Sequence, residues 1–241
     1  MAAGKRGRVS ERASRTVLAP AMNKNASFDP IKDFTHIAYL GGPPNVFAVH
    51  PSAGVSSFKE LLALMKSQKD GVQYVSPSIG SVGNMVAEYV ADKESAKLSH
   101  IVYRGGGSAI QDLVAGHVKV GSMTLSTTRA HILAGKLKPV AISSAKRVAG
   151  FDEVPTLVEL GYPDLVVTTW YSLAGPAGLP RDIVAKLNNA VNKAMDLPEV
   201  KRHLETEMVQ TRAMTPEQMT AFMQREVDLW APTARRVAAQ K

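Results

Sequence analysis

From about residue 35 the chain alternates short apolar runs with stretches whose apolar residues recur at helical spacing. HIAYL (36–40) and NVFAVH (45–50) are compact apolar runs separated by GGPP, and both read as strands. A helix is predicted over 57–67, where Ser57 and Glu60 form a capping box ahead of Leu61, Leu62, Leu64 and Met65. VQYVS (72–76) predicts a strand, the Gly/Ser-rich SPSIGSVGN a turn, and 82–92 a helix. LSHIVYR (98–104) predicts a further strand, GGGS a turn, and AIQDLVAG a helix closed by Gly116. VKVGSMT (118–124), a helix over 126–134 ending at Gly135, and KPVAISS (138–144) continue the alternation. VPTLVELG (154–161) has the length of a short helix, and LVVTTWYSLAGP (165–176) reads as a long extended run. Helices are then predicted from Pro180, Pro198 and Pro216, the last behind an N-cap at Thr215 with Gln218 as box partner.

Strands alternating with helices predict an α/β fold built on a largely parallel sheet, in which ligands sit at the carboxyl ends of strands beside helix N-termini. Three Gly/Ser/Thr-rich turns have that form: Ser76 to Asn84, Tyr103 to Ser108, and Met123 to Thr128. The second, in IVYRGGGSAIQDLVAGHVKVG (101–121), fits neither common phosphate motif. No Gly-Lys-Ser/Thr follows it, and a G-x-G-x-x-G match that starts at Gly105 and Gly107 fails at Ile110. Two readings of it stand. Free backbone N–H groups at a helix start beside the Arg104 guanidinium suit an anion, and a tight strand-to-helix turn needs the glycines for its backbone alone.

Composition narrows the chemistry. The chain has 241 residues, a formal net charge of +8 and no cysteine, which removes disulfides, thiolate metal sites and a cysteine nucleophile. Residues 1–15 hold five basic side chains against Glu11, a net +4 that leaves only +4 for the rest. They read as a disordered basic tail, without the interleaved aromatics of a nucleic-acid surface. They contain no apolar core of a secretory signal, and no run of 18 apolar residues occurs anywhere. None of the six histidines pairs at i, i+4 in an H-E-x-x-H, and G-x-S-x-G is absent because Ser81 follows Gly80 directly. The residues therefore favour a binding module with no metal, no cofactor and no nucleic-acid partner over an enzyme, whose catalytic groups would have to converge from distant positions.

Six phrases in order resemble one family: FDPIKDFTHIA (28–38), SIGSVGNM (78–85), VYRGGGSAIQDLVAGHV (102–118), AGKLKPVAISSAKR (134–147), VPTLVELGYPDL (154–165) and WYSLAGPAGLP (170–180). The chain resembles the substrate-binding receptors of tripartite tricarboxylate transporters, the Bug-type receptors of the bacterial periplasm. The resemblance implies a two-lobed Venus-flytrap fold of the type II periplasmic-binding-protein class. Lobe 1 would be discontinuous, 16–50 plus 173–241, with lobe 2 at 51–172 and a small organic carboxylate held between them. It implies capture of that carboxylate outside the cytoplasm for membrane permease subunits, and no enzymatic activity. The matching positions carry ligand-binding roles to Ser78, Gly80 and Ser81, to Tyr103, Arg104, Gly105 and Gly106, and to Thr124 and Ser126. Ser81 could instead be only a helix cap, Arg104 could brace its loop through carbonyls, and Tyr103 and Trp170 read better as packing. The chain also departs from the family. The export signal, first strand, Pro/Gly-rich loop and helix that open its relatives have no counterpart, so the start of the first lobe is expected to be missing. RTVLAPAMNKNASFDP reads as the end of the following strand and a shortened loop. Lys119 and Ser122 stand where relatives carry an acid and a large apolar residue. A truncated, non-binding paralogue or sensor-partner domain is the alternative function.

Overall fold

The computed structural model describes residues 10–23 and 25–239, with side-chain packing from Thr16 onward. The chain separates into two compact units, one of residues up to Gly42 with Trp170–Ala238, the other Pro43–Thr169.

The first unit is built on a three-stranded antiparallel sheet. Strand β1 (Ser10–Ala13) and strand β2 (Phe34–Gly41) flank β8 (Tyr171–Pro176). Helix α1 (Ser14–Met22) follows β1 directly. Helices α6 (Arg181–Met195), α7 (Pro198–Thr206) and α8 (Pro216–Ala239) complete the unit. Helix α6 packs Val184 onto Ile37 and Ala38 of β2. Residues of α8, among them Met219, Phe222 and Met223, close over Val17, Tyr39 and Trp170. The reciprocal box expected at the start of α8 forms: Thr215 N–H donates to Gln218 Oε1 at 2.9 Å, and Gln218 N–H to Thr215 Oγ1 at 3.2 Å.

The second unit is an α/β sandwich around a five-stranded sheet of order β5-β4-β6-β3-β7. Its strands are β3 (Asn45–Val49), β4 (Val72–Val75), β5 (Leu98–Ile101), β6 (Val120–Thr124) and β7 (Lys138–Ile142). Its helices are α2 (Phe58–Ser67), α3 (Val82–Lys93), α4 (Gly106–Val114) and α5 (Leu125–Leu133). The pairing of β4 with β5 and β6 is parallel, as the alternation predicts. Strand β3 is not: it lies antiparallel between β6 and β7. Periodicity reports which residues face the core and carries no strand direction, so this reversal leaves no mark in the sequence.

Four further expectations are corrected. Residues 10–15 are strand and helix start rather than part of a disordered tail, and the remaining tail residues 1–9 lie outside the described residues. TVLAPAM lies in helix α1, not at the end of a strand. VPTLVELG forms turns without a helix: Glu159 and Thr156 make a reciprocal cap, Thr156 N–H to Glu159 Oε2 at 2.7 Å, but Gly161 at φ +94° and Pro163 halt it within one turn. Of LVVTTWYSLAGP, only Tyr171–Pro176 is strand.

The unit boundaries also fall earlier than 50/51 and 172/173. Asn45–Val49 is an inner strand of the second unit's sheet, so 43–50 belongs there. Trp170 belongs to the first unit because its ring is buried with Tyr39 and Phe222 and its indole N–H donates to Glu226 Oε2 at 2.8 Å.

Candidate functional site

Strands β5, β4 and β6 are neighbours and run in one direction, so their carboxyl ends lie along one edge of the second unit's sheet. Each is followed by a turn and then by α3, α4 or α5, which sets three helix N-termini on that edge. Because β3 runs the other way, its first residue, Asn45, comes opposite Thr124 at the same edge. All nine sequence-derived site residues fall on these three turns. Ser78, Gly80 and Ser81 precede α3; Tyr103, Arg104, Gly105 and Gly106 open α4; Thr124 and Ser126 open α5.

The start of α3 is closed by its own side chains. Ser81 is the N-cap, and its Oγ accepts the Asn84 N–H at 3.2 Å, satisfying one of the orphan donors of a helix start. Gly80 sits at φ +73°, a conformation that favours glycine, and its N–H donates to Asn84 Oδ1 at 2.9 Å. Behind the turn, Ser81 Oγ donates to Ser76 Oγ at 3.3 Å, and Ser76 Oγ lies 2.8 Å from His100 Nε2. Burial pushes the His100 pKa down to about 4, so the ring is neutral at physiological pH. Ser78 contributes its carbonyl, which accepts from Ser76 Oγ and from Ser81 N–H.

The start of α4 is open. Its N-cap is Gly105, at φ +150° and ψ 169°, and no side chain caps it. The amides of Gly106, Gly107 and Ser108 have no partner among the described residues. An added Cβ would meet nothing within 4 Å at Gly105 or Gly107, and only Met123 Cε, at 3.9 Å, at Gly106. The glycines therefore leave a backbone surface that an anion can approach. Arg104 is exposed and makes no hydrogen bond or ion pair among the described residues, so it does not brace the loop. Tyr103 is turned away to the other end of its helix. Its ring packs on the cluster of Ile110, Leu113 and Met123, and its hydroxyl donates to Asp112. Burial and the Asp112 carboxylate raise the Tyr103 pKa to about 12.

The start of α5 lies between these extremes. Thr124 is the N-cap but makes no cap bond; its Oγ1 pairs with Thr127 Oγ1 at 2.7 Å. The first amide, Leu125 N–H, donates to Pro44 O at 2.9 Å. The Ser126 hydroxyl has no partner among the described residues.

Sequence reasoning passed over Asn45, whose side chain ties the edge together. Asn45 N–H donates to Ser143 Oγ at 2.8 Å, and Asn45 Nδ2 donates to Ser122 Oγ at 2.8 Å. Ser122 is fully buried as the acceptor for Asn45, and its carbonyl lies under Gly83, where an added Cβ would come within 2.1 Å. Among the described residues no helix is long and apolar enough to cross a membrane, and no group of three His, Cys, Asp or Glu is placed to hold a metal.

Comparison with known proteins agrees with this architecture. Residues 8–238 match the tripartite tricarboxylate transporter family receptor. Protein BugT of Bordetella pertussis is 28% identical over 210 residues, 87% of this chain and 64% of its own length. Two further curated relatives are spanned to 60% and 59%, so the chain covers about three-fifths of their length. A solved periplasmic transporter superposes with a TM-score of 0.83 at 29% identity, covering 96% of this chain and 77% of its own. MatC from Rhodopseudomonas palustris, solved with bound malate, superposes at 0.80 with 26% identity, covering 94% of this chain and 78% of its own. The fold is therefore that of a periplasmic binding protein of the Bug type. With the match running over nearly every described residue, the chain belongs to the tripartite tricarboxylate transporter receptor family, whose members are periplasmic solute-binding receptors rather than enzymes.

Proposed function

We propose that the carboxyl edge of the second unit captures a small organic carboxylate outside the cytoplasm and delivers it to the membrane permease subunits of a tripartite tricarboxylate-type transporter. The observation that carries this reading is the uncapped start of α4, with open amides at Gly106 and Gly107 beside the unpartnered Arg104. Backbone N–H groups at a helix start favour an anion by about 0.3–1 kcal/mol each helix, and the guanidinium adds a planar donor fork matched to a carboxylate. Thr124 and Ser126 add hydroxyls from α5. Ser78, Gly80 and Ser81 shape the third side, with Ser81 acting as the cap of α3. The malate bound to MatC supports a small carboxylate as the ligand class. Isothermal titration of the chain with malate, succinate and inorganic phosphate tests the reading. Heat with a dicarboxylate and none with phosphate supports it, and no heat with any carboxylate favours the non-binding alternative.

A further inference from the structure

Helix α3 buries a carboxylate, Glu88. Glu88 is 7% exposed on a helix whose residues Met85, Val86, Ala87 and Val90 are buried as well. A buried acid in an apolar face is costly unless hydrogen bonds hold it. Here the Tyr74 hydroxyl, itself fully buried on β4, donates to Glu88 Oε1 at 2.7 Å. Asn84 Nδ2 donates to the same hydroxyl oxygen at 2.7 Å, and Asn84 Oδ1 accepts the Gly80 N–H at 2.9 Å.

The direction of this chain is determined from its buried end. A carboxylate accepts and does not donate, so the single tyrosine proton goes to Glu88. The tyrosine oxygen is then left as an acceptor, which draws the NH₂ side of the Asn84 amide toward it. The Asn84 oxygen consequently faces Gly80, at the left-handed turn before Ser81. A core apolar residue at 88 would fill the same space but would leave the Asn84 amide free to flip, presenting NH₂ to the Gly80 N–H.

We propose that Tyr74, Asn84 and Glu88 are positioning residues for the carboxylate site, holding the 78–81 turn in the one backbone arrangement that sets the start of α3 along the binding edge. The proposal rests on the carboxylate-binding reading above, and its first readout does not depend on any ligand. That readout is the hydrogen-exchange rate and chemical shift of the Gly80 amide by NMR. Tyr74→Phe keeps the ring that stacks on His100 and deletes only the hydroxyl. Asn84→Ala removes the link to Gly80 and leaves the Tyr74–Glu88 bond. Both are expected to raise Gly80 exchange about three- to tenfold beyond the change at other amides of the unit, the loss of one hydrogen bond. Glu88→Leu behaves like Tyr74→Phe, whereas Glu88→Gln keeps an acceptor for Tyr74 and restores the Gly80 rate. Malate affinity falls about three- to tenfold in the first three variants and recovers in Glu88→Gln. Unchanged Gly80 exchange in Tyr74→Phe and Asn84→Ala overturns the proposal, as does a uniform rise across the unit. Faster Gly80 exchange with unchanged malate affinity also overturns it. If malate gives no heat with the unaltered chain, the binding reading fails by itself and the positioning claim stands or falls on Gly80.

Discussion

Helices α3 and α4 leave neighbouring strands of one sheet at the same edge, yet they begin in opposite ways. Helix α3 starts on Ser81, whose hydroxyl takes the Asn84 amide, while the Gly80 amide of the turn goes to Asn84 Oδ1. Helix α4 starts on Gly105, with no cap and open space above its first glycines. A capped start satisfies part of its donors within the fold, and an uncapped one leaves them open to solvent or a ligand. The contrast separates two kinds of glycine within 25 residues. Gly83 is required by packing, because α3 lies directly on the β6 backbone at Ser122. Gly106 and Gly107 are required by neither packing nor backbone conformation, since both are helical and neither is crowded.

The sharpest way to break the contrast is Gly83→Ala. Its Cβ would sit 2.1 Å from Ser122 O, a backbone atom that cannot swing aside. Chemical denaturation of the second unit is expected to show a loss of about 3 kcal/mol, at the upper end for overpacking. Gly105→Ala should cost less, about 2 kcal/mol in the same measurement, because space is free but φ +150° with ψ 169° is a region reserved for glycine. Ser81→Ala removes the cap of α3 and is expected to lower stability by about 1 kcal/mol, read as a shifted denaturant midpoint at unchanged slope. Gly107→Ala reverses the sign: with nothing within 4 Å and a helical backbone, it should raise stability by about 0.5–1 kcal/mol. A loss there would show that the open start of α4 is structurally demanded and would erase the distinction.

Much of this edge was legible in the sequence. The strands of the second unit and helices α2 to α5 lie within a few residues of their expected positions, because apolar periodicity and turn residues are local signals. The three candidate turns were legible for the same reason. What sequence could not show was long-range. Strand β3 is reversed in the middle of the sheet, and this reversal brings Asn45 to the edge. The hydrogen-bonding needs of Ser122, Asn84 and Glu88 appear only when β4, β6 and α3 are stacked. Arg104 gave no local clue to choose between bracing and binding, and among the described residues it has no loop partner. The helix assigned to VPTLVELG failed in the opposite sense, since a good capping pair there starts a helix that Gly161 and Pro163 stop at once.

The central claim is that α4 keeps its first amides for a ligand, and Gly106→Val tests it most directly. The valine Cβ would meet only Met123 Cε, near 3.9 Å, and the backbone there is helical, so the unfolding free energy should stay within about 0.5 kcal/mol of the unaltered chain. Its branched side chain would cover the amides, so calorimetric titration with malate should lose its signal in that folded sample. A folded Gly106→Val chain that binds malate as well as the unaltered one would contradict the account.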